Sequence, residues 1–161
     1  MIRIVDVVNE SKNPLPQYTH PGDAGMDLRA DLSHPNDIKG DKIDYDPERK
    51  VFIIWSGGRA CIPTGLKVAI PENCELQIRP RSGLALKQGI TVLNTPGCVD
   101  SGFRQTVGVI LINLSDEPFE ITNGDRIAQA VLNKFETIKW NPVETLDKTD
   151  RGEGFGSSGT K

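Results

Sequence analysis

Short apolar runs bounded by turn-forming residues are the feature that most limits how this chain can fold. The intervals between them leave little room for crossover helices, and the segment 74–79 alternates apolar and polar residues as a half-buried strand requires. Strands at such spacing are typical of an all-β sandwich or barrel-like roll. The predicted strands cover residues 2–8, 26–30, 51–55, 66–70, 74–78, 91–93, 107–113, 119–121 and 126–134.

Other segments predict the connections between these strands. Residues 82–88 are predicted to form one short helix that Ser82 caps and Gly89 closes. The polar stretch 33–50 is interpreted as a long surface excursion. From about residue 146 the chain lacks core-forming residues, so we expect one β domain over 1–146 and a flexible C-terminal segment over 147–161.

Composition excludes several classes of function. The 161 residues suffice for one domain, and the formal charge of −3 offers no basic face for nucleic acid. No apolar run approaches a membrane span of about 20 residues, and the start of the chain does not have the pattern of a signal peptide. We therefore expect a cytoplasmic protein with neither nucleic-acid nor membrane partners. The three cysteines, Cys61, Cys74 and Cys98, lack metal-binding spacing and are interpreted as inert strand thiols.

Two segments carry residues that suit phosphate chemistry. In 80–85, Arg81, Ser82 and Gly83 place a guanidinium, a hydroxyl and accessible backbone N–H groups around one point, although a capped turn with a solvated Arg explains the same residues. In 124–129, Arg126 and Gln129 are suited to an anion, but a hairpin turn followed by a strand accounts for most of that segment.

The segment 94–104 contains Asp100 between two apolar stretches. An aspartate in a cleft can hold and deprotonate water, whereas Asp-Ser-Gly is also ordinary turn chemistry. The same three residues match the aspartic-protease signature, but Phe103 stands where that family has a small residue. Asp27, in the otherwise apolar start of a strand, is suited either to an Arg partner or to metal-bound water. His20 and His34 show no metal-ligand spacing.

The C-terminal tail combines Arg151 and Phe155 with several glycines. One interpretation is a flexible linker. The other is a lid in which glycine backbone N–H groups wrap an anion, Arg151 pairs with phosphate and Phe155 lies on a flat ligand.

Taken in this order, the five segments resemble the five motifs of the trimeric deoxyuridine triphosphatase (dUTPase) family, and the match runs from about residue 17 to 159. The resemblance implies a distorted jelly-roll (β-clip) fold and a homotrimer with three shared active sites. It also implies hydrolysis of dUTP to dUMP and pyrophosphate, with Mg²⁺ on the triphosphate. Such an enzyme lowers dUTP and supplies dUMP for dTTP synthesis.

The resemblance assigns roles to individual residues. Asp100 matches the water-activating carboxylate, and Asp27 matches the residue near the water shell of the metal. The substrate-binding positions fall on Arg81, Ser82, Gly83 and Gln129 for phosphate, on Asn94, Gly97 and Val99 for uracil, on Phe103 for deoxyribose, and on Arg151, Phe155, Gly156 and Ser157 in the lid.

The sequence departs from the family pattern at three places. Phe103 replaces the usual Tyr, Gln105 replaces the usual Gly, and the tail has one residue fewer before Phe155. Two alternatives are a nucleotide-sensing protein on the same scaffold, which an intact Asp100 disfavours, and dCTP deaminase, a relative of the same fold. The deaminase's catalytic Glu would fall on Ile110 here, so that activity is disfavoured.

Overall fold

A computed structural model describes residues 2–148, which form eleven β-strands, one α-helix and a 3-10 turn at Pro35–Asp37. The helix, α1, spans Ser82–Gln88. The strands are β1 (Asp6–Asn9), β2 (Met26–Arg29), β3 (Gly40–Asp46), β4 (Val51–Pro63), β5 (Leu66–Ala69), β6 (Cys74–Arg79), β7 (Ile90–Val92), β8 (Gly97–Val99), β9 (Gly108–Asn113), β10 (Phe119–Thr122) and β11 (Arg126–Lys134).

All strand pairs are antiparallel and form three sheets. The largest sheet has the order β10-β4-β9-β7, with β3 also paired to β4, and a ribbon joins β1 to β5. The third sheet has the order β2-β11-β6-β8. It brings together strands from four separate parts of the chain, including most of the segments singled out above.

The core lies between the sheets and is built by alternation along the strands. In β6, Cys74, Leu76 and Ile78 are buried while Glu75, Gln77 and Arg79 face outward. One face of the sheet thus joins the apolar core, and the other remains available for polar chemistry. The expectation of an all-β fold of the jelly-roll type with one short helix is confirmed.

The prediction for residues 33–50 is wrong in part, because 40–46 form β3 rather than an irregular excursion. Ile43 and Tyr45 pack against the core, which explains why this largely polar segment is a strand. The β3–β4 turn is held by Arg49, whose guanidinium donates to both Glu120 carboxylate oxygens. Strand β1 also starts later than expected, at Asp6, and β4 continues well beyond Trp55.

Helix α1 is confirmed over 82–88, but its start differs from the prediction. Arg81, not Ser82, occupies the N-cap position, with φ −87° and ψ 126°, and no side chain caps the helix. The chain is still extended at Arg81, so Ser82 is already the first helical residue. Gly89 ends the helix at φ 64°, as expected for a residue in the left-handed region.

The three cysteines lie in strands and are free thiols, as predicted. No helix within residues 2–148 is long and apolar enough to cross a membrane.

Candidate active site

The outward face of the β2-β11-β6-β8 sheet carries one group of candidate residues. Asp27 in β2 pairs in register with Gln129 in β11, and Gln129 pairs in turn with Arg79 in β6. Antiparallel neighbours in register project to the same face, so these three side chains form one row across the sheet. A cavity of about 280 Å³ opens beside the row.

Arg81 joins this row from the end of β6. Its Nε donates to Asp27 Oδ1 at 3.0 Å, and its Nη1 donates to the backbone oxygen of Arg126 at 3.0 Å. Asp27 also lies 3.4 Å from the amide nitrogen of Gln129 and 3.4 Å from Arg126 Nη1. We call Asp27, Arg81, Arg126 and Gln129 the arginine cluster. It has two guanidinium groups against one carboxylate, so its net charge is positive.

Ser82 and Gly83 follow directly in the first turn of α1 and are exposed. No neighbouring atom lies within 4 Å of the place where a Cβ on Gly83 would be. The backbone N–H groups of this turn and the Ser82 hydroxyl are therefore accessible to a ligand that contacts Arg81.

A second group of residues surrounds β8, which pairs with β6 on the far side from β11. Gly97 and Val99 are buried, and Asn94 is exposed in the preceding turn. A Cβ on Gly97 would lie 3.3 Å from the Ile78 Cβ, so a side chain there would crowd Ile78, and it would contact the Asn94 Nδ2 at 3.4 Å. We call Asn94, Gly97, Val99, Asp100 and Phe103 the hairpin group.

Asp100 follows β8 directly and is exposed. The Phe103 backbone N–H donates to the Asp100 carbonyl at 3.1 Å, which closes the Asp-Ser-Gly turn. The Phe103 side chain is 39% exposed, so its ring is accessible to a planar or apolar ligand group. Asp-Ser-Gly is therefore a tight turn, as one interpretation held, and this turn exposes the Asp100 carboxylate, as the other interpretation requires.

Asp100 and the arginine cluster are far apart within one chain, whereas Gly97 pairs with Ile78, three residues before Arg81. Leu76 pairs with Val99, so Asp100 lies at the start of β6, beside Glu75, whereas Arg81 follows its end. Glu75 and Arg81 are six residues apart, or roughly 20 Å along an extended chain at about 3.3 Å per residue. The arginine cluster and the turn that carries Asp100 are therefore two separate half-sites.

Sequence reasoning did not assign roles to Glu75, Gln77 and Cys98, although they link this face. Cys98 Sγ lies 2.9 Å from Glu75 Oε2 and 3.4 Å from Asp100 Oδ1. Glu75 also accepts from Gln77 at 2.7 Å and from Asn133 at 3.1 Å. The alternating pattern of β6 indicated that Glu75 and Gln77 face outward. Their hydrogen-bond partners could not be predicted, because these depend on the pairing of β6 with β8 and β11.

Hydrogen bonds set the protonation states of this pair. The hydrogen bonds from Cys98, Gln77 and Asn133 lower the pKa of Glu75 below its usual 4.5. The hydrogen bond to Glu75, together with desolvation, raises the pKa of the Cys98 thiol to about 12. At neutral pH the thiol is therefore the donor and Glu75 is an ionised acceptor.

A larger cavity of about 550 Å³ lies elsewhere, beside Asp31, His34 and Cys61. None of its lining residues belongs to the five motifs, so we locate the site on the outward sheet face, where the motif residues converge. Arg151, Phe155, Gly156 and Ser157 lie outside the described residues.

Comparison with known proteins identifies the family. The family model described as dUTPase matches residues 47–159. The chain is 49% identical over 156 residues to the deoxyuridine 5′-triphosphate nucleotidohydrolase of Fusobacterium nucleatum, covering 96% of each chain. It is 44% identical to the protein of the same name from Finegoldia magna, covering 96% of this chain and 98% of that relative.

Solved structures share the fold at lower identity. The dUTPase of Staphylococcus bacteriophage 80alpha with dUpNHpp has a TM-score of 0.78 at 23% identity, covering 98% of this chain and 99% of that one. A dUTPase from phage phi11 of S. aureus, described with a structural Mg(II) ion, has a TM-score of 0.72 at 19% identity, covering 91% and 100%. With the family model and the close relatives in agreement, the chain belongs to the dUTPase family.

Proposed function

We propose that the protein hydrolyses dUTP to dUMP and pyrophosphate. The observation that carries the proposal is the arginine cluster, in which three of the five motifs converge on one positively charged point. The names of the relatives, deoxyuridine 5′-triphosphate nucleotidohydrolase, point to the same substrate. A triphosphate is the kind of ligand that such a cluster stabilises, because charge-assisted hydrogen bonds to phosphate are strong.

The arginine cluster would bind and orient the triphosphate. Asp27 and the Arg126 carbonyl hold Nε and Nη1 of Arg81. Its Nη2 remains to donate to a phosphate oxygen, with the Ser82 hydroxyl and the backbone of Gly83 beside it. Gln129 would add a neutral donor from the next strand. Restricting the Arg81 side chain before substrate arrives lowers the entropy cost of binding.

Asp100 would orient a water molecule and accept its proton. The water oxygen attacks the α-phosphorus in line, the bond from that phosphorus to the bridging oxygen breaks, and pyrophosphate leaves. Positioned acid–base groups of this kind contribute about 10² to 10⁴ in rate. The exposed turn position of Asp100 allows it to meet a phosphate bound by another part of the assembly.

The rest of the hairpin group would select the nucleoside. The turn containing Asn94 and the backbone from Gly97 to Val99 would read the edge of uracil, and tight packing at Gly97 leaves little room for rearrangement. Phe103 would pack on deoxyribose and exclude a 2′-hydroxyl. A site that hydrogen-bonds one base edge rejects bases with a different donor pattern.

Magnesium fits this site only through the substrate. Within residues 2–148, no group of three or more His, Cys, Asp or Glu side chains is placed to hold a metal ion. The oxygens of Asp27 already contact Arg81, Gln129 and Arg126, so Asp27 would reach the ion through water. Mg²⁺ commonly binds through substrate phosphates and keeps several waters. It would neutralise phosphate charge during the reaction.

We further propose a homotrimer whose sites combine the arginine cluster of one subunit with the hairpin group of another. The distance between Asp100 and the arginine cluster in one chain supports this arrangement. So do large apolar side chains that one chain leaves exposed, namely Ile138 at 72%, Trp140 at 82% and Leu146 at 86%. A C-terminal segment, proposed to start at residue 147, would complete the site as a lid. Its contacts with the substrate would come from Arg151, Phe155, Gly156 and Ser157. We place the enzyme in the cytoplasm on the family assignment.

In the first experiment, the protein is mixed with Mg²⁺ and incubated with one nucleotide per reaction: dUTP, dCTP, dTTP or UTP. The products are then resolved by chromatography. Selective formation of dUMP supports the proposal. Binding of dUTP without cleavage would favour a nucleotide-sensing role, and deamination of dCTP would favour the deaminase. Asp100→Asn should fold and bind dUTP but turn over about 10² to 10⁴ times more slowly.

Shared sites are tested by mixing two inactive variants. Asp100→Asn and Arg81→Ala subunits each lack one half-site, so mixed trimers would regain complete sites and part of the activity. If mixed trimers form and stay inactive, the sites are not shared.

A further inference from the structure

The carboxylate of Asp100 has one side-chain hydrogen-bond partner in the described part of the chain, the thiol of Cys98 at 3.4 Å. The same thiol lies closer to Glu75, at 2.9 Å. Glu75 is itself held by Gln77 and Asn133, and Arg79 donates to Gln77 Oε1 from Nε at 3.0 Å and from Nη2 at 2.6 Å. A continuous row of hydrogen bonds thus runs along the outward face of β6 and ends at Asp100.

We infer that Glu75 and Cys98 are positioning residues for the water-activating step, with Cys98 setting the orientation of the Asp100 carboxylate and Glu75 setting that of Cys98. This inference rests on the proposed function, in which Asp100 orients water.

The physical reason lies in the number of acceptors around one proton. The thiol has a single S–H donor, and two carboxylates lie within its reach. Sharing that donor keeps two like charges in fixed positions that would otherwise repel and rotate apart. Among residues 2–148, Glu75 has three side-chain donors and Asp100 has one, the thiol, so Glu75 is the anchored member and Asp100 is the one whose orientation the thiol decides.

Deleting the thiol should therefore affect turnover more than binding. We expect Cys98→Ala to lower kcat about tenfold, the effect of losing roughly 1.4 kcal/mol of transition-state stabilisation, with KM for dUTP within about twofold. Cys98→Ser keeps a donor and should recover most of the loss. Cys61→Ala makes the same change at another strand thiol and should keep the wild-type kcat.

A double variant tests whether Glu75 acts through Cys98. If it does, the single variant Glu75→Gln should have a lower kcat than wild type. The same substitution made in Cys98→Ala should lower kcat no further, because the contact through which Glu75 acts is already absent. A wild-type kcat in Cys98→Ala, no recovery in Cys98→Ser, or multiplying losses in the double variant would each overturn the inference.

Alkylation of Cys98 provides a readout independent of turnover. In a Cys61→Ala background at pH 8, Glu75→Gln should speed the reaction of Cys98 with iodoacetamide, because the carboxylate no longer disfavours the thiolate. An unchanged rate contradicts the contact. If wild-type protein left dUTP intact, the proposed function would fail by itself, and the alkylation result would still decide whether Glu75 controls Cys98.

Discussion

The Nε of Arg81 and the Oδ1 of Asp27 lie 3.0 Å apart and join two motifs that are separated by more than fifty residues of sequence. Both side chains are about a quarter exposed or less, at 27% for Arg81 and 19% for Asp27. The pair is therefore shielded from water more than the surface ion pairs of the same chain. Asp27 acts here first as the partner that orients Arg81, and its expected role near metal-bound water stays a prediction.

Replacing Asp27 by Ala should lower kcat/KM for dUTP by about 10- to 100-fold, since a hydrogen bond to a charged group is worth about 1.5 to 3 kcal/mol. Asp27→Asn should lose less, because an amide oxygen still accepts from Arg81. The control is Asp41→Ala, which removes a pair with Arg59 that is 3.4 Å long and more than half exposed. Equal steady-state kinetics for Asp27→Ala and wild type would contradict this role.

Asn113 should be essential to the stability of the fold rather than to the site. It is fully buried, and its Nδ2 donates to the Ile54 carbonyl at 2.9 Å and to the Glu117 carbonyl at 2.8 Å. Asn113→Ala removes the donor to both carbonyls and the oxygen that accepts from the Ser115 N–H at 2.9 Å, so the free energy of unfolding should fall by about 2 to 4 kcal/mol. Urea denaturation measures it, with exposed Asn36→Ala as control. A loss below about 0.5 kcal/mol would show that these bonds matter little.

Acid should weaken the folded state partly through Glu75. Its pKa is lower in the folded chain than the ordinary 4.5, so its stabilising effect is complete above that value and is lost as pH falls through the lowered folded pKa. The thermal midpoints of Glu75→Gln and wild type should be compared from pH 7 to pH 3. The variant should have the lower midpoint at pH 7, and the difference between the two midpoints should shrink as the pH falls. Glu144→Gln, at an exposed position, should show no such closing. A constant gap for Glu75→Gln would contradict the assignment.

Much of this architecture could be predicted from local pattern. The alternation in β6 and the glycine that ends α1 predicted the correct elements. A turn does precede β11, but the predicted hairpin is wrong, because β10 and β11 lie in different sheets. Strand β3 was missed because its apolar residues, Ile43 and Tyr45, are too few to reveal a core-facing strand before their partner strand is known. The start of α1 was misplaced because the extended backbone at Arg81 depends on its contacts with Asp27 and Arg126.

The site was predictable in composition but not in geometry. The motifs identified Asp27, Arg81 and Gln129 individually. Their proximity could not be predicted, because it depends on the strand order β2-β11-β6. The distance between Asp100 and Arg81 follows from the register of β8 against β6, which no local pattern encodes. The bridge from Glu75 to Asp100 depends on the same register, so sequence reasoning left Cys98 as an inert thiol.

Removing residues 149–161 should separate catalysis from folding. The buried apolar residues of the described chain all lie between Leu28 and Ala130, so the truncated protein should keep its thermal midpoint and the proposed trimer. Its kcat/KM for dUTP should fall by at least tenfold if Arg151 and Phe155 contact the substrate, as proposed, and exclude water. Sedimentation and steady-state kinetics measure the two properties. Full activity, or failure to assemble, would contradict the lid.

In the reaction we propose, water attacks the α-phosphorus of dUTP at a site containing Asp100. Hydrolysis in water labelled with ¹⁸O, followed by mass spectrometry of both products, tests it most directly. We expect one ¹⁸O atom in dUMP and none in pyrophosphate after a single turnover, with the signal greatly reduced in Asp100→Asn. Label in pyrophosphate, or no cleavage of dUTP by the wild-type protein, would contradict it.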